Sequence, residues 1–504
     1  MSFDAAVLAR GGTARVLSMF IQIAIAFLLT PLIARNLGLH YYGLWSIVGD
    51  TLSYYALLDL GLSSAVTRYV AHSRGRGDLN EASIFASSSL LVFIIISITV
   101  CIVALLTTLF MLYFGFLDND GNVFALTLLI MALGLAFAFP VRTHIGTLNA
   151  WLRFDLTALS GIIRALILAL LTYVVIFNNM GLIGLALATL AAQLFECILV
   201  LVFYRKNIKN MSISIKFARK KNAFSLFSYS WKSLAIQVAE LLRYRTSSFI
   251  LLAYLDPTAV AIYSIGFRLI EYANQMVVSA IGVFVPVFSV IDGQSDKESL
   301  IFYLQKVLRY SVIISIYVMG SVYILGKPFI VAWMGDEYIT SFTVTAILVL
   351  PMTFALIQNP SISALYGTNK HQHYLLINIF EGIMNLALSV YLTSKYGLIG
   401  MPFGVAFPMF ISKVIVQPIF VCRALETRVF TVFNRHYWIN ILKSSIPFLI
   451  FILFFKNSLH STYISIFQHG IILTAFYCVY AWFFLFTKDD RKTIKNLLIF
   501  TKSS

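Results

Sequence analysis

Long apolar segments separated by short polar breaks run along the whole chain. A helix that crosses a membrane needs about 20 mostly apolar residues, and fourteen segments meet or approach that length. They cover residues 14–34, 43–67, 84–114, 121–141, 159–177, 181–203, 229–253, 261–290, 307–326, 340–365, 374–394, 398–421, 440–455 and 463–487. The pattern predicts an all-α integral membrane protein with about fourteen transmembrane helices.

Composition supports a membrane protein. Hydrophobic residues make up 60% of the 504 residues and charged residues only 12%, whereas soluble proteins have about a quarter charged residues. The four cysteines lie in apolar segments and form no CxxC pair, which indicates small core residues, so neither a metal site nor a cofactor is predicted. No small-residue cleavage site follows the first apolar segment, so we expect it to stay in the membrane.

The distribution of basic residues predicts the orientation. With the N-terminus in the cytoplasm, 28 of the 37 Lys and Arg residues fall on the cytoplasmic side, four on the opposite side and five within spans. This is the positive-inside pattern, with both termini cytoplasmic, so the net charge of +16 does not indicate nucleic-acid binding. The longest outer loop, Gly326–Thr340, is too short for a catalytic domain, which argues against an enzyme.

The chain contains an internal repeat. "MGLIGLALATL" from Met180 and "YGLIGMPFGVA" from Tyr396 align with an offset of 216 residues, and "HYYGLWSI" aligns with "VAIYSIGF". "SRGRGDLNEA" aligns with "DGQSDKESL", which places Asp78 opposite Asp296. Six spans separate the copies, so both halves have the same orientation in the membrane, as in a parallel pseudo-twofold repeat. The predicted parts are an N-lobe (1–204), a basic cytoplasmic linker (205–228), a C-lobe (229–422) and two further helices with a tail (423–504).

Two-lobed transporters of this kind bind substrate between the lobes and work by alternating access, so polar residues inside spans are the candidate site. The eighth span has a polar strip within about 120° of the helix surface. Its residues are Ser264, Arg268, Glu271, Tyr272, Gln275, Ser279 and Gly282. Such a strip faces protein or water, not lipid. The alternative is a buried Arg268–Glu271 pair that joins two helices.

Two further spans contribute polar and basic candidates. The seventh has a polar strip formed by Ser233, Gln237, Glu240, Tyr244 and Ser247. Arg243 lies beside Glu240 on a continuous helix, whereas Arg245 is about 160° away and is expected to pair with another helix or extend to the membrane surface. In the first span, Arg15 and Gln22 share one face, although Arg15 equally fits a positive-inside role.

Acidic residues in spans are candidates for coupling to H⁺ or Na⁺, or for charge balance. They are Glu271, Glu240, Asp59 and Glu381. Lys413 and Glu196 are further charges in spans, without an assigned role. Arginine stays charged at any depth and binds phosphate or carboxylate bidentately, so a site containing Arg268, Arg243 and Arg15 predicts an anionic substrate.

Residues Leu37–Asp78, "LGLHYYGLWSIVGDTLSYYALLDLGLSSAVTRYVAHSRGRGD", resemble the bacterial Wzx-type polysaccharide exporters of the multidrug/oligosaccharidyl-lipid/polysaccharide (MOP) superfamily. The resemblance implies a flippase that moves undecaprenyl-pyrophosphate-linked oligosaccharides to the outer leaflet of the bacterial inner membrane, for O-antigen, capsule or exopolysaccharide. A cationic cavity between the lobes is a family feature that Arg243 and Arg268 fit. Polysaccharide polymerase and chain-length regulator proteins are candidate partners.

Four alternatives remain open. A multidrug antiporter of the same superfamily often has an acidic residue in its first helix, and span 14–34 has none. A lipid II flippase shares fourteen helices and an arginine-rich cavity, but resembles Leu37–Asp78 less. The short outer loops and the repeat argue against a membrane-embedded glycan polymerase or ligase. The fourth alternative is a scaffold protein without transport activity, in which the polar strips inside the spans would have no function.

Overall fold

The computed structural model describes residues 5–115, 120–281, 284–294, 296–370, 372–455 and 458–492, in which all regular structure is helical. The α-helices in chain order are α1 (Ala5–Ala56), α2 (Leu62–Gly75), α3 (Leu79–Tyr113), α4 (Gly121–Ala150), α5 (Phe154–Phe177), α6 (Gly181–Asn207), α7 (Lys220–Tyr244), α8 (Ser247–Tyr254), α9 (Pro257–Ile281), α10 (Val285–Gly293), α11 (Lys297–Met334), α12 (Ser341–Ile357), α13 (Asn359–Gly367), α14 (Gln372–Tyr396), α15 (Gly400–Ile411), α16 (Gln417–Ala424), α17 (Val429–Val432), α18 (Arg435–Phe455) and α19 (Tyr463–Tyr480). Gly282, the side chain of Ser233 and the tail residues 493–504 lie outside the described part.

The predicted membrane spans are confirmed as helices. Within the described residues, ten helical segments are long and apolar enough to cross a membrane. Two of them, Gly12–Gly75 and Leu376–Ala424, each contain two predicted spans, so the ten segments account for twelve of the fourteen. The remaining two, the seventh and eighth, are also helical: α7 with α8, and α9 with α10. The all-α membrane fold is therefore correct.

The predicted boundary between the first two spans is confirmed. Within α1, Gly38 is non-helical, with φ/ψ of 73°/171°, so two helices meet at a kink inside the predicted break at residues 35–42. Glycine adopts this positive φ without strain. A second break lies within the second span, where a 3₁₀ turn at Leu57–Asp59 is followed by left-handed Leu60 and Gly61. Asp59 therefore lies at a break in a membrane helix.

Other predicted spans are also discontinuous. The tenth breaks at Gln358, between α12 and α13, and Pro360 follows at the start of α13, where its missing N–H costs no helical hydrogen bond. The twelfth contains a π-helical turn, Ser412–Val416, between α15 and α16. Breaks and π-turns in helices frequently mark functional sites, because they redirect side chains and backbone groups.

Helix caps support the internal repeat. Asp78 and Asp296 are the N-caps of α3 and α11, with φ/ψ of −92°/84° and −92°/87°. Each carboxylate accepts a hydrogen bond from the backbone N–H three residues later, Glu81 N at 2.8 Å and Ser299 N at 2.9 Å. Because this satisfies a helix N–H that has no intrahelical partner, both copies begin their third membrane helix in the same way.

Positive-φ residues occur at matching places in the two copies. Gly181 and Gly397, which open the "GLIG" motifs 216 residues apart, both have φ of 61°. Leu152 and Asn369, which follow α4 and α13, have φ of 60° and 57°. The aligned motifs thus share backbone conformations.

The chain divides into two units, Met1–Leu241 (unit 1) and Leu242–Ser504 (unit 2). This boundary falls within α7, after the predicted linker 205–228, and α7 itself begins nine residues before the predicted seventh span. The predicted lobe boundaries therefore stay a prediction.

The residues before α7 are held against α3. The backbone N–H of Arg219 donates to Ser88 Oγ at 2.9 Å, and that of Ser214 donates to Ser87 Oγ at 3.1 Å. The basic linker is therefore anchored to unit 1 by main-chain hydrogen bonds.

Candidate functional site

The polar strip on α9 is partly accessible. Its described members are all half-buried, while Ile265 and Ile270 on the same helix are fully buried. These members are Ser264, Arg268, Glu271, Tyr272, Gln275 and Ser279. The strip therefore places a guanidinium, a carboxylate, a phenol and an amide along one partly accessible face of a helix whose other side packs into unit 2.

Glu271 forms an ion pair with Arg245, a partner that the alternative of an Arg268–Glu271 pair did not include. Arg245 Nη2 lies 3.1 Å from Glu271 Oε1, and the two side chains are 32% and 22% exposed. The chain leaves the helix after Tyr244, so Arg245 is in the turn between α7 and α8. This contact agrees with the expectation that Arg245 pairs with another helix. That expectation assumed one continuous helix through residues 240–247, whereas α7 ends at Tyr244 and α8 begins at Ser247.

Arg243 belongs to a different, fully buried cluster. Its Nη1 lies 3.0 Å from Glu381 Oε1, and Lys413 Nζ lies 3.2 Å from Glu381 Oε2. The side chains of Arg243, Glu381 and Lys413 are 7%, 0% and 2% exposed. One carboxylate thus faces two cations without contact with solvent, and the cluster carries a net charge of +1 when all three groups are ionised.

Close helix packing brings the members of this cluster together. A Cβ at Gly404 on α15 would lie 2.4 Å from Ser389 Cα on α14, and one at Gly400 would lie 2.1 Å from Leu392 O. Only glycine allows this approach of α15 to α14, the helix that carries Glu381. The π-turn that follows α15 carries Lys413.

Buried amides surround the ionic cluster. Arg243 Nη1 also donates to Asn378 Oδ1 at 3.3 Å, and Asn385 Nδ2 donates to the carbonyl oxygen of Arg243 at 3.1 Å. On the other side, Lys413 Nζ donates to Gln417 Oε1 at 3.0 Å. These hydrogen bonds satisfy Asn378 Oδ1, Asn385 Nδ2 and Gln417 Oε1, which would be costly to bury unpaired.

The same network reaches the break in the tenth span. Gln417 Nε2 donates to the carbonyl oxygen of Gln358 at 3.3 Å, and Ser361 Oγ donates to Gln358 Oε1 at 2.9 Å. All three side chains are buried. The break between α12 and α13 and the π-turn are therefore joined by side-chain hydrogen bonds.

These contacts change the assignment of the seventh span. Glu240 is exposed and Gln237 is half-buried. The counter-ion of Arg243 is Glu381, although Arg243 lies beside Glu240 on the predicted helix. Since Arg243 is 6% exposed and already bound to a carboxylate, it is a poor ligand for a large substrate. Arg268 and Arg245 are the accessible guanidinium groups of this part of unit 2.

In unit 1, the first-span candidates face α5. The exposed Arg15 places its guanidinium carbon 4.1 Å from the centroid of the Phe154 ring, a cation–π contact. Gln22 Nε2 donates to Ser18 Oγ at 2.9 Å, and Ser18 Oγ donates to the carbonyl oxygen of Ala158 at 3.1 Å. Gln22 is half-buried and partly engaged in helix packing.

Asp59 is paired. Its Oδ1 lies 3.0 Å from Arg142 Nη1 on α4 and accepts a hydrogen bond from Ser63 Oγ at 2.7 Å, so the carboxylate stabilises the helix break. Arg164 Nε lies 3.1 Å from Glu196 Oε2 in the same unit. Both acidic residues therefore have cationic partners.

The sequence identified the charged residues Glu381 and Lys413, but the polar residues around them were missed. Asn378, Glu381, Asn385 and Ser389 repeat at intervals of three and four, a polar strip that the eleventh span shows in its sequence. Arg142, the partner of Asp59, lies one residue beyond the predicted fourth span, 121–141, so it was not a candidate. In the described part of the chain, no group of three His, Cys, Asp or Glu side chains could hold a metal ion.

Comparisons with known proteins agree with this fold. The model of the family described as "Polysaccharide biosynthesis protein" matches residues 8–292. The chain is 21% identical over 517 residues to the membrane protein EpsK of Bacillus subtilis, covering 98% of this chain and 97% of EpsK. It is 22% identical over 375 residues to a putative O-antigen transporter of Shigella flexneri, covering 73% of this chain and 87% of that protein.

Two solved structures share the fold. The lipid II flippase MurJ in an inward closed conformation has a TM-score of 0.70 at 15% identity, covering 92% of this chain and 97% of MurJ. An inward-facing multidrug resistance MATE transporter of the MOP superfamily has a TM-score of 0.69 at 15% identity, covering 80% of this chain and 95% of that one. At this identity the likeness concerns the fold.

Proposed function

Because the chain belongs to the polysaccharide biosynthesis protein family, whose model matches more than half of it, we propose that it flips lipid-linked oligosaccharides across the membrane. Family membership confirms the resemblance seen in residues 37–78. The family and its relatives support a flippase-type membrane transporter and not an enzyme. The finer proposal is an undecaprenyl-pyrophosphate-linked glycan unit, moved from the cytoplasmic to the outer leaflet by alternating access.

The α9 strip is the observation that carries the proposal. Arg268 and the Arg245–Glu271 pair place two partly accessible guanidinium groups on a membrane protein, where an unused charge would be costly. Guanidinium binds pyrophosphate oxygens bidentately and stays charged at any depth. Glu271 offsets part of the positive charge, which favours reversible binding, as transport requires.

Neighbouring polar groups suit the glycan part of such a substrate. Tyr272 and Gln275 follow Arg268 along the same strip and supply neutral hydrogen-bonding groups. We assign Arg15 and Gln22 of unit 1 to the same role. Arg243 and Glu381 are assigned to the internal ion cluster that holds the helices of unit 2, not to substrate contact.

A lipid II-type flippase is the second candidate, since the fold of MurJ covers 92% of this chain. Its substrate carries the same pyrophosphate-linked lipid, so the α9 strip serves either one. The two candidates differ in the glycan and therefore in the phenotype of a deletion. Loss of surface polysaccharide with normal cell-wall synthesis supports the first, whereas a cell-wall defect supports the second.

The test is deletion of the gene and complementation with variants. We expect lipid-linked repeat units to accumulate on the cytoplasmic leaflet of the deletion strain, and wild-type protein to restore surface glycan. Arg268→Ala should insert normally but restore about a tenth of the export or less, because a hydrogen bond to a charged group contributes about 1.5–3 kcal/mol. Normal surface glycan in the deletion strain, with altered drug tolerance, would show that the protein is a drug antiporter.

A further inference from the structure

A polar pocket lies in unit 2 at the ends of three helices. It encloses about 340 Å³ between the first part of α11, the start of α18 and the residues that follow α19. A pocket of this size can hold a small ligand or a lipid headgroup. Its polar lining includes Lys306, Asn434, His436, Asn440 and Asp489.

One acid and one base of the lining neutralise each other. Asp490 accepts two hydrogen bonds from Arg309 Nη2, at 2.9 and 2.6 Å, and is 1% exposed. Burial acts to raise the pKa of Asp490, but hydrogen bonds from Thr487 and Tyr310 and the charge of Arg309 outweigh it and lower the pKa. The ionised Asp490 therefore serves as the counter-ion of Arg309.

The remaining lining is suited to an anion. Within the described part of the chain, Lys306 and His436 form no ion pair or hydrogen bond, and both line the pocket. Asn434 accepts a hydrogen bond from Tyr437 N at 3.1 Å, so the N-terminus of the 21-residue helix α18 opens at the pocket. The positive end of the helix dipole adds to the lysine charge, and Asp489 contributes one negative charge to the same lining.

The pocket lies at the edge of the apolar part of the protein. The membrane segment Arg435–Phe455 begins beside it, and the segment Tyr463–Leu485 ends beside it. Leu442, Phe483 and Phe484 near these ends are 69%, 61% and 64% exposed, so apolar surface for acyl chains adjoins polar groups for a headgroup. Basic pockets between membrane helices at this depth bind acidic lipid headgroups.

We propose that this pocket binds the phosphate of an acidic phospholipid headgroup, with Lys306, His436 and the N-terminus of α18 as its ligands. The site is separate from the α9 strip and does not depend on the transported substrate. Its occupant would brace α18 and α19, the two helices outside the internal repeat, against α11.

The test is lipid binding by purified full-length protein, measured by native mass spectrometry with phosphatidylglycerol or phosphatidylcholine. We expect wild-type protein to bind phosphatidylglycerol at least fivefold more tightly than phosphatidylcholine. Lys306→Gln should weaken phosphatidylglycerol binding about fivefold, the effect of one basic residue near an anionic lipid surface, and leave phosphatidylcholine unchanged. Lys297→Gln is the matched control on α11, because Lys297 is exposed and lies 3.3 Å from Glu426.

Three outcomes would overturn the proposal: equal affinity for the two lipids, equal losses in Lys306→Gln and Lys297→Gln, or displacement of phosphatidylglycerol by an equal concentration of soluble glycerol phosphate. The last would identify a site for free phosphate. His436→Gln provides a second variant on another helix, which keeps the test decisive if Lys306→Gln does not fold. A retained preference for phosphatidylglycerol in His436→Gln, with Lys306→Gln unfolded, would also count against the site.

Discussion

The Glu381→Gln substitution keeps the size of the side chain but removes the carboxylate between Arg243 and Lys413. Two cations would then lie together in a part of unit 2 where their side chains are 7% and 2% exposed. Removing one partner of a buried ion pair costs about 3–5 kcal/mol, because the remaining charge is left uncompensated. Here two charges are left, so we expect a loss of unfolding free energy at the upper end of that range.

The Lys413→Met substitution removes one of the two cations instead of the carboxylate. It leaves Arg243 and Glu381 as a neutral pair at 3.0 Å and replaces the second cation with an apolar side chain of similar length. We expect a much smaller loss than for Glu381→Gln. The double variant leaves one buried cation in place of two, so its cost should fall below the sum of the single costs by at least about 1 kcal/mol.

The assay is equilibrium unfolding of purified protein in mixed micelles, with Glu240→Gln as the control. Glu240 is an exposed carboxylate on α7, so this variant should change the free energy of unfolding by no more than about 0.5 kcal/mol. If Glu381→Gln and Lys413→Met cost the same and their effects add, the three residues do not form a coupled cluster and the reasoning fails.

Two further substitutions test local packing and capping by the same assay. Gly404→Ala places a methyl group 2.4 Å from Ser389 Cα and should lower the free energy of unfolding by about 1–3 kcal/mol. In the control Gly293→Ala, the new methyl group meets no atom within 4 Å, so stability should be nearly unchanged. Equal effects of the two variants would contradict the close approach of α14 and α15. Asp78→Ala removes the cap on the backbone N–H of Glu81 and should cost about 1 kcal/mol, and an unchanged stability would show that the cap does not stabilise α3.

Hydropathy was sufficient to predict the helices, because a membrane span must be apolar along its length. It could not predict the breaks. Gln358 and the turn at Ser412–Val416 change the path of the backbone without changing the apolar character of their segments. By contrast, the break at Gly38 between the first two spans was predicted, because a polar stretch around a glycine separates two apolar segments there.

The repeat could be predicted because capping and left-handed positions leave short-range signals. Asp78 and Asp296 align in sequence and form the same cap, and Gly181 and Gly397 share the same φ. These features depend on a few neighbouring residues, so they survive when most of the sequence between the copies has diverged.

Charge pairing was the part that sequence could not supply. A helical projection places Arg243 beside Glu240, but its partner Glu381 is 138 residues away on α14. Similarly, the partner of Glu271 is Arg245, which lies 26 residues earlier in the turn after α7. Which charges meet is decided by the packing of helices distant in sequence, and projection of one helix does not contain that information.

Flipping by reconstituted protein tests the central claim most directly. Liposomes containing the protein and a pyrophosphate-linked oligosaccharide lipid would be treated with a membrane-impermeant glycosidase, and the rate at which protected lipid becomes accessible would be measured. We predict rapid exposure with wild-type protein, at least about tenfold slower exposure with Arg268→Ala, and an intermediate rate with Arg268→Lys, which keeps the charge but loses the bidentate geometry. Equal rates in protein-free and wild-type liposomes, or in all three proteins, would contradict the account.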